Sequence, residues 1–188
     1  MKREEYYLAS LEELARRTAE GDTEAFAELY RALLDGVYAY IFFNLKSREE
    51  AEDLSEEVFL RCLTNISGFD PRKASLKTWV FRIARNLVVD HQRRRRRRTQ
   101  VALEEASLGY TPSLTEHVEE EERHRFLRQA LSQIPDLQRQ VLTMKFFAGM
   151  DNKEVAAVLG KSEGAVNALQ HRGLRKLGAL LEERGWRE

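Results

Sequence analysis

A single cysteine, three prolines and four histidines among 188 residues exclude several classes of protein at once. Cys62 alone cannot close an internal disulfide, and the scattered His91, His117, His124 and His171 give it no partners at zinc-ligand spacing. It lies in an apolar helical stretch, the usual setting of a buried structural thiol. No stretch approaches the ~20 apolar residues of a membrane span, and the opening MKREEYYLASLEELARR lacks the apolar run of a signal peptide. The expectation is a soluble, cytoplasmic protein with no membrane insertion. Alternating apolar and polar runs are also missing, which leaves little room for sheet. There is no glycine-rich phosphate loop. The carboxylate pairs Asp53/Glu57 and Glu52/Glu56 sit at helical spacing with no histidine nearby, so the chain is read as a non-enzyme without cofactor or metal.

What the sequence does contain is helical periodicity and segmented charge. The formal net charge is zero, but its distribution is uneven. Residues 1–98 hold 19 Lys and Arg against 17 Asp and Glu; residues 99–122 hold none against 7; residues 123–188 hold 12 against 7. Within the first block, residues 69–98 carry 11 bases against only Asp70 and Asp90. Basic, acidic and basic parts in that order point to a protein that meets polyanions at two places.

The periodicity predicts an all-α fold of two small helical domains, 1–98 and 123–188, joined by a flexible acidic linker over 99–122. Leu8, Leu11, Leu14 and Ala15 suggest a first short helix. Asp22 can cap a second one carrying Phe26, Leu29, Tyr30, Leu33, Val37, Tyr40 and Ile41 at three-and-four spacing. A third begins near Arg48, with Ala51, Leu54, Val58 and Cys62 on one face and acids on the others. TNISGFDP (64–71) reads as a loop. Ser75 can cap the next helix, where Trp79, Ile83 and Leu87 form an inward stripe and Arg82, Arg85, Val89, Arg93 and Arg96 a second one. Gly109, Pro112 and the run Glu119–Glu122 mark the linker. Beyond it, Phe126, Leu127, Ala130, Leu131 and Ile134 predict a helix stopped at Pro135, and Leu137, Val141, Leu142, Phe146 and Phe147 another ending near Gly149.

The last segment has the pattern of a DNA-reading helix-turn-helix. Asp151 or Asn152 caps a short helix bearing Val155, Ala156, Val158 and Leu159; Gly160 supplies the left-handed turn; Ser162 caps a longer helix. There Val166, Leu169, Leu174 and Leu177 face inward, while Ser162, Glu163, Asn167, Gln170, His171, Arg172 and Arg175 stay outside. Amide and basic groups on the exposed face suit base edges and phosphates of duplex DNA. An ordinary helical hairpin is the plainer reading. The arginine run 93–98 is continuous with an aromatic-bearing helix, and Asn65, Ser67 and Phe69 precede it. That combination suits phosphate contact beside unstacked bases. A disordered tail or nuclear-type address is the alternative for the run, and a core position is the alternative for Trp79 and Phe69.

EEAEDLSEEVFLRCL (49–63), the loop ending in FDP (69–71) and LKTWVFRIARNLVVDHQRRRR (76–96) resemble the second conserved region of bacterial sigma factors. SEGAVNALQHRGLRKL (162–177) resembles their fourth region, and the short linker resembles the extracytoplasmic-function (ECF) group of the sigma-70 family. The resemblance runs from about Gly21 to Leu181. It implies a promoter-specificity subunit of RNA polymerase whose partners are core polymerase (its clamp helices and flap), promoter DNA both duplex and melted, and an anti-sigma factor. It places Asp53, Glu57, Val58, Phe59 and Arg61 on the helix that docks on the clamp. It places Asn65, Ser67, Phe69 and Asp70 in the loop that captures a flipped −10 base, with Trp79, Arg82, Arg85 and Asn86 beside the melted strand. Ser162, Glu163, Asn167, His171, Arg172 and Arg175 fall on the helix that reads the −35 element. The acidic linker would thread the nucleic-acid path of polymerase. Two other readings compete: a stand-alone regulator that binds an operator without polymerase, and a helical enzyme or scaffold with incidental basic faces.

Overall fold

The computed structural model describes residues 2–102 and 126–183, and side chains within 11–97 and 126–183. Among the described residues the chain is helical without strands. The order is α1 (Lys2–Ala19), α2 (Thr23–Leu45), α3 (Arg48–Asn65), a 3-10 turn (Ile66–Gly68), α4 (Leu76–Ala102), α5 (126–132), α6 (Asp136–Phe146), α7 (Asn152–Leu159) and α8 (Glu163–Glu182).

Local chemistry fixes most boundaries. The Asp22 carboxylate accepts from Ala25 N at 3.1 Å and starts α2, while Arg17 forks onto the same carboxylate at 2.9 and 2.7 Å. Lys46 closes α2 in the left-handed region at φ 71°, and Ser47 caps α3 through Glu50 N at 3.3 Å. Ser75 Oγ receives Thr78 N at 3.2 Å at the start of α4. There the first amide, Leu76 N, is also capped from afar by Glu12 Oε1 of α1 at 2.9 Å. Such caps satisfy amides that a helix leaves without partners.

α2 lies at the centre, against α1, α3, α4 and α6. Leu29, Val37, Tyr40 and Ile41 of α2, Ala51, Val58 and Cys62 of α3, and Leu76, Val80, Ala84 and Val88 of α4 are all fully buried in one apolar cluster. The inward stripe of α4 is thus offset by one residue from the expected one: Trp79, Ile83 and Leu87 flank the core and are only partly buried. Cys62 is fully enclosed, and burial pushes its thiol up to about 12, so it stays protonated and unreactive.

The same cluster continues into the C-terminal helices through Val141, Met144, Met150 and Val155. A polar seam runs beside this apolar contact. Tyr40 donates to Gln140 Oε1 at 3.4 Å, Asn44 Nδ2 to Thr143 Oγ1 at 3.2 Å, and Arg139 Nε to Asn44 Oδ1 at 3.4 Å. Arg139, only 3% exposed, also donates to Ile134 O and the Asp136 carboxylate. Buried polar groups persist where partners meet their hydrogen-bonding capacity, and these do. Gly36 permits the close approach: a Cβ there would stand 3.2 Å from Ala148 Cα.

Two further expectations shift. α4 runs past the expected boundary at 98 to Ala102, and the remainder of the acidic linker, 103–122, lies outside the described residues. Leu174, expected to face inward, is instead 38% exposed, and of the apolar residues that predicted α6, Leu137 and Phe147 are 38% and Phe146 60% exposed. The turn of α8 that was to hold Leu174 is packed through Gly173, whose missing Cβ leaves room for Leu142 at 3.1 Å.

Candidate nucleic-acid and polymerase interfaces

The acidic face of α3 is built by register. With Ala51, Ser55, Val58, Phe59 and Cys62 turned inward, Asp53 and Glu56 are left in solvent and Glu57 half-buried. Arg61 Nε donates to Glu57 Oε1 at 2.6 Å, which holds both side chains along the helix surface. Val58 and Phe59 do not belong to this face. They are 0% and 3% exposed, and the Phe59 ring packs on Tyr30 with centroids 4.6 Å apart, so a docking protein meets neither. The exposed apolar groups here are Leu60 at 57% and Leu63 at 45%. They continue the Asp53–Glu57 line at steps of three to four residues, which places all four on neighbouring stripes. Sequence reasoning passed over Leu60; its signal was an apolar residue off the Ala51–Val58–Cys62 stripe.

The loop after α3 is held by its own side chains. Asn65 Nδ2 donates to Arg61 O at 2.8 Å, and Ser67 is exposed. Asp70 is engaged locally: Arg72 reaches its carboxylate with Nε at 2.9 Å and Nη2 at 3.0 Å, and the Arg72 amide adds a third bond at 3.0 Å. The Arg72 side chain, then its backbone N–H, keep that carboxyl below its ordinary range and ionised. Asp70 therefore shapes the turn that carries Phe69 to Trp79, where the ring centroids stand 5.6 Å apart at 49°. Both rings are half-buried against the core and keep part of their surface in solvent.

Further along α4, Arg82 is exposed, yet its Nε donates to the carbonyl of Ala157 in α7 at 3.2 Å. Ser75 Oγ likewise donates to Glu154 Oε1 at 3.1 Å. Arg85 is half-buried and faces the region of Tyr40, with its Nε unpartnered. Asn86 is exposed. The −10 candidates are thus contiguous along one loop and helix, and α7 lies against part of that helix.

The helix-turn-helix has the expected caps. Asp151 and Glu154 form a reciprocal capping box, Gly160 adopts φ 63°, and Ser162 Oγ accepts from Ala165 N at 3.2 Å. Val166, fully buried, anchors α8. Ser162, Glu163, Asn167, His171, Arg172 and Arg175 are all exposed. Two of them have structural work as well: Ser162 in its cap, and Asn167, whose amide oxygen accepts from Asn152 of α7. His171, Arg172 and Arg175 face solvent beyond them, giving the polar and then basic gradient that a major groove and its phosphates accept.

The pattern of sigma-70 region 2 matches residues 29–98, and that of sigma-70 region 4 matches residues 125–177. The ECF RNA polymerase sigma factor BldN of Streptomyces coelicolor is 35% identical over 179 residues, covering 93% of this chain and 67% of that protein. SigX of Bacillus subtilis, also an ECF sigma factor, is 31% identical over 85% of this chain and 84% of its own length. The chain is an ECF sigma factor of the sigma-70 family. As such it is a promoter-recognising transcription initiation factor. Among solved structures, CnrH in complex with the cytosolic domain of CnrY superimposes with a TM-score of 0.69 at 25% identity, covering 93% of this sigma factor and 98% of CnrH. The sigma factor RpoE of Bartonella quintana, solved with the anti-sigma factor NepR, shares the fold with a TM-score of 0.69 at 21% identity over 84% of this chain and 96% of its own. Among the described residues no helix is long and apolar enough to cross a membrane.

Proposed function

We propose that this sigma factor binds core RNA polymerase through α3, reads a −35 element with α8, and captures and melts a −10 element with residues 65–86. On this reading residues 1–98 form the polymerase-binding and −10 domain, 123–188 the −35 domain, and 99–122 the acidic tether. Asp53, Glu57 and Arg61, joined by Leu60 and Leu63, offer the clamp helices a surface of charge around exposed leucine. Phe69 and Trp79 offer an aromatic edge on which an extruded base stacks, which offsets the few kcal/mol that unstacking costs. Arg82 and Asn86 then track the adjoining backbone, Arg82 exchanging the Ala157 carbonyl for phosphate, and Arg85 lies between them. Ser162, Glu163, Asn167, His171, Arg172 and Arg175 face the −35 major groove.

The observation that carries this reading is the exposure of these six residues together on one helix whose N-cap fixes its entry angle. The likeness to CnrH, solved with the cytosolic domain of CnrY, and to RpoE, solved with the anti-sigma factor NepR, supports control by an anti-sigma factor in the cytoplasm. The test is abortive transcription with purified core polymerase on promoters selected from the protein's own genome. Promoter-dependent initiation should appear with the protein and be lost with Trp79→Ala or Arg172→Ala. Tight operator binding by the protein alone, with no core binding and no initiation, would overturn the reading in favour of a stand-alone regulator.

A further inference from the structure

The two helices of the helix-turn-helix share one side-chain contact that neither cap requires. Asp151 caps α7 by accepting from Glu154 N at 2.7 Å, so Asn152 becomes the first residue of the helix and its side chain takes no part in the cap. That side chain crosses to α8, where Asn152 Nδ2 donates to Asn167 Oδ1. Asn167 lies within an exposed line at four-residue steps, formed by Glu163, Asn167, His171 and Arg175. Its amide nitrogen makes no hydrogen bond with any described residue. Burial sets the polarity of the pair. Asn152 Oδ1 is enclosed and unpartnered. Turned about, Asn152 would enclose an NH2 group at that place, with two donors unmet instead of one oxygen, and unmet buried N–H groups are the rarer case.

We propose that Asn152 is a specificity-determining positioning residue: it holds the Asn167 amide oxygen, leaves the amide nitrogen to the major groove, and so makes the base beneath Asn167 guanine rather than adenine. The inference rests on α8 reading the −35 element. An unconstrained asparagine reads adenine, because its oxygen accepts from N6 while its nitrogen donates to N7. In this chain the oxygen is engaged before DNA arrives, and the pole left to the groove is a donor. Guanine offers N7 and O6 side by side, both acceptors. Adenine sets its N6 donor against the Asn167 nitrogen and loses the second bond. Along the exposed line, ionised Glu163 only accepts and Arg175 only donates, whereas an amide presents either pole according to what holds the other. The tether also removes rotamers that Asn167 would otherwise lose on binding, so the side chain is set before contact. Asn152 needs no contact with DNA to do this.

Hydrogen exchange of the side-chain amides in the free full chain, followed by nitrogen-15 NMR, tests the tether without polymerase or DNA. The Asn152 NH2 should exchange more slowly than that of Asn167, and Asn167→Ala should remove the protection. Asn152→Asp should reverse the pattern, its carboxylate accepting from Asn167 and slowing exchange there. Base preference is then measured with holoenzyme, by selection from promoter fragments randomised across the −35 element. The position at which Asn167→Ala abolishes preference identifies the base under Asn167. Wild type should favour guanine over adenine there by about 5-fold or more, the lower end for a side-chain contact to a base edge. Asn152→Ala should release the oxygen and move the preference toward adenine. Asn152→Asp, which turns the oxygen outward, should favour adenine or cytosine, whose N6 and N4 donate. The added charge weakens binding to every sequence alike, which a ratio of bases cancels, and a thermal melt confirms that each variant folds. Equal preference for the two purines in wild type, or a guanine preference unchanged by both substitutions at 152, overturns the proposal. So does an unprotected Asn152 amide in the free chain, or an Asn167→Ala protein that matches wild type at every −35 position. Wild-type holoenzyme that selects no −35 sequence at all refutes the promoter reading instead, and the exchange experiment still decides the tether.

Discussion

Filling the gap at Gly36 separates two effects that act on different equilibria. Gly36 lies inside α2, where alanine is favoured over glycine by roughly 0.8–1 kcal/mol whether or not the C-terminal helices are docked. A Cβ at 36 would also meet Ala148 Cα at 3.2 Å and Ala148 Cβ at 3.3 Å, and this cost exists only in the docked arrangement. The first neighbour is backbone and cannot rotate away. Overpacking of this kind costs about 1–3 kcal/mol, more for a branched side chain. Beside the apolar contact, the polar seam opposing it consists of three hydrogen bonds of 3.2–3.4 Å. Long bonds sit at the low end of the ~0.5–1.5 kcal/mol range, so together they hold about 2 kcal/mol. Gly36→Ala should therefore leave overall thermal stability close to wild type while loosening docking. Gly36→Leu should shift docking toward separation roughly 10- to 100-fold, at 1.4 kcal/mol per decade. Small-angle scattering reads the separation, and amide exchange at Gln140–Thr143 reads the exposed seam. Adding Ala148→Gly to Gly36→Ala should restore protection only in part, because it removes the 3.3 Å contact with Cβ and leaves the 3.2 Å contact with Cα. A Gly36→Leu protein with wild-type scattering and wild-type protection at Gln140–Thr143 would refute the packing argued here.

Two other outcomes follow from the same geometry. Leu60→Ser with Leu63→Ser should weaken binding to core polymerase by one to two decades, since burying one leucine contributes about 1.5–3 kcal/mol, and should leave the melting temperature nearly unchanged because both side chains are largely exposed. Phe59→Ala should instead cost about 3–5 kcal/mol of stability as a core truncation; a stable Phe59→Ala protein defective only in polymerase binding would restore Phe59 to the surface. Asp22 supplies the pH dependence. Its carboxyl is held below the ordinary range first by the Ala25 amide and then by Arg17, so its stabilising effect is complete above the unfolded pKa and is lost as pH falls through the folded one. Asp22→Ala should lower the urea midpoint at pH 7, and the gap to wild type should narrow as pH falls below the ordinary carboxylate range. A gap that stays constant over that range would show that the charge plays no part.

Much of the fold was legible because its signals are local. Asp22, Ser75, Asp151, Gly160 and Ser162 each cap or turn the backbone within three residues of themselves, so the sequence around each is sufficient to read it. The α8 face was readable for the same reason: once Ser162 and Val166 set the helix, the exposure of Asn167, His171, Arg172 and Arg175 follows from period alone. Leu174 is the exception, because the inward position on its turn is taken by Gly173, a residue with no side chain to signal burial. α4 was read one residue out of register because it is apolar along two adjacent stripes. Leu76, Val80, Ala84 and Val88 alternate with Trp79, Ile83 and Leu87, and periodicity cannot say which lies deeper. The choice is made by neighbours distant in sequence, among them Tyr40, whose ring meets Phe81 at 5.8 Å.

Contacts between distant polar residues carry no periodic signature at all. Asn44, Arg139, Gln140 and Thr143 look like solvent-facing positions of two amphipathic helices, and each is at most 4% exposed because the partner that satisfies it lies about a hundred residues away. Arg139 shows why such a group tolerates burial: the Ile134 carbonyl, the Asp136 carboxylate and the Asn44 amide oxygen surround its guanidinium, replacing the water it gave up. The arginine run shows the exposed counterpart: Arg95 and Arg96 pair with Glu50 and Asp136 of other helices while their side chains stay 60% and 76% exposed, so water still solvates the ions and each pair contributes little.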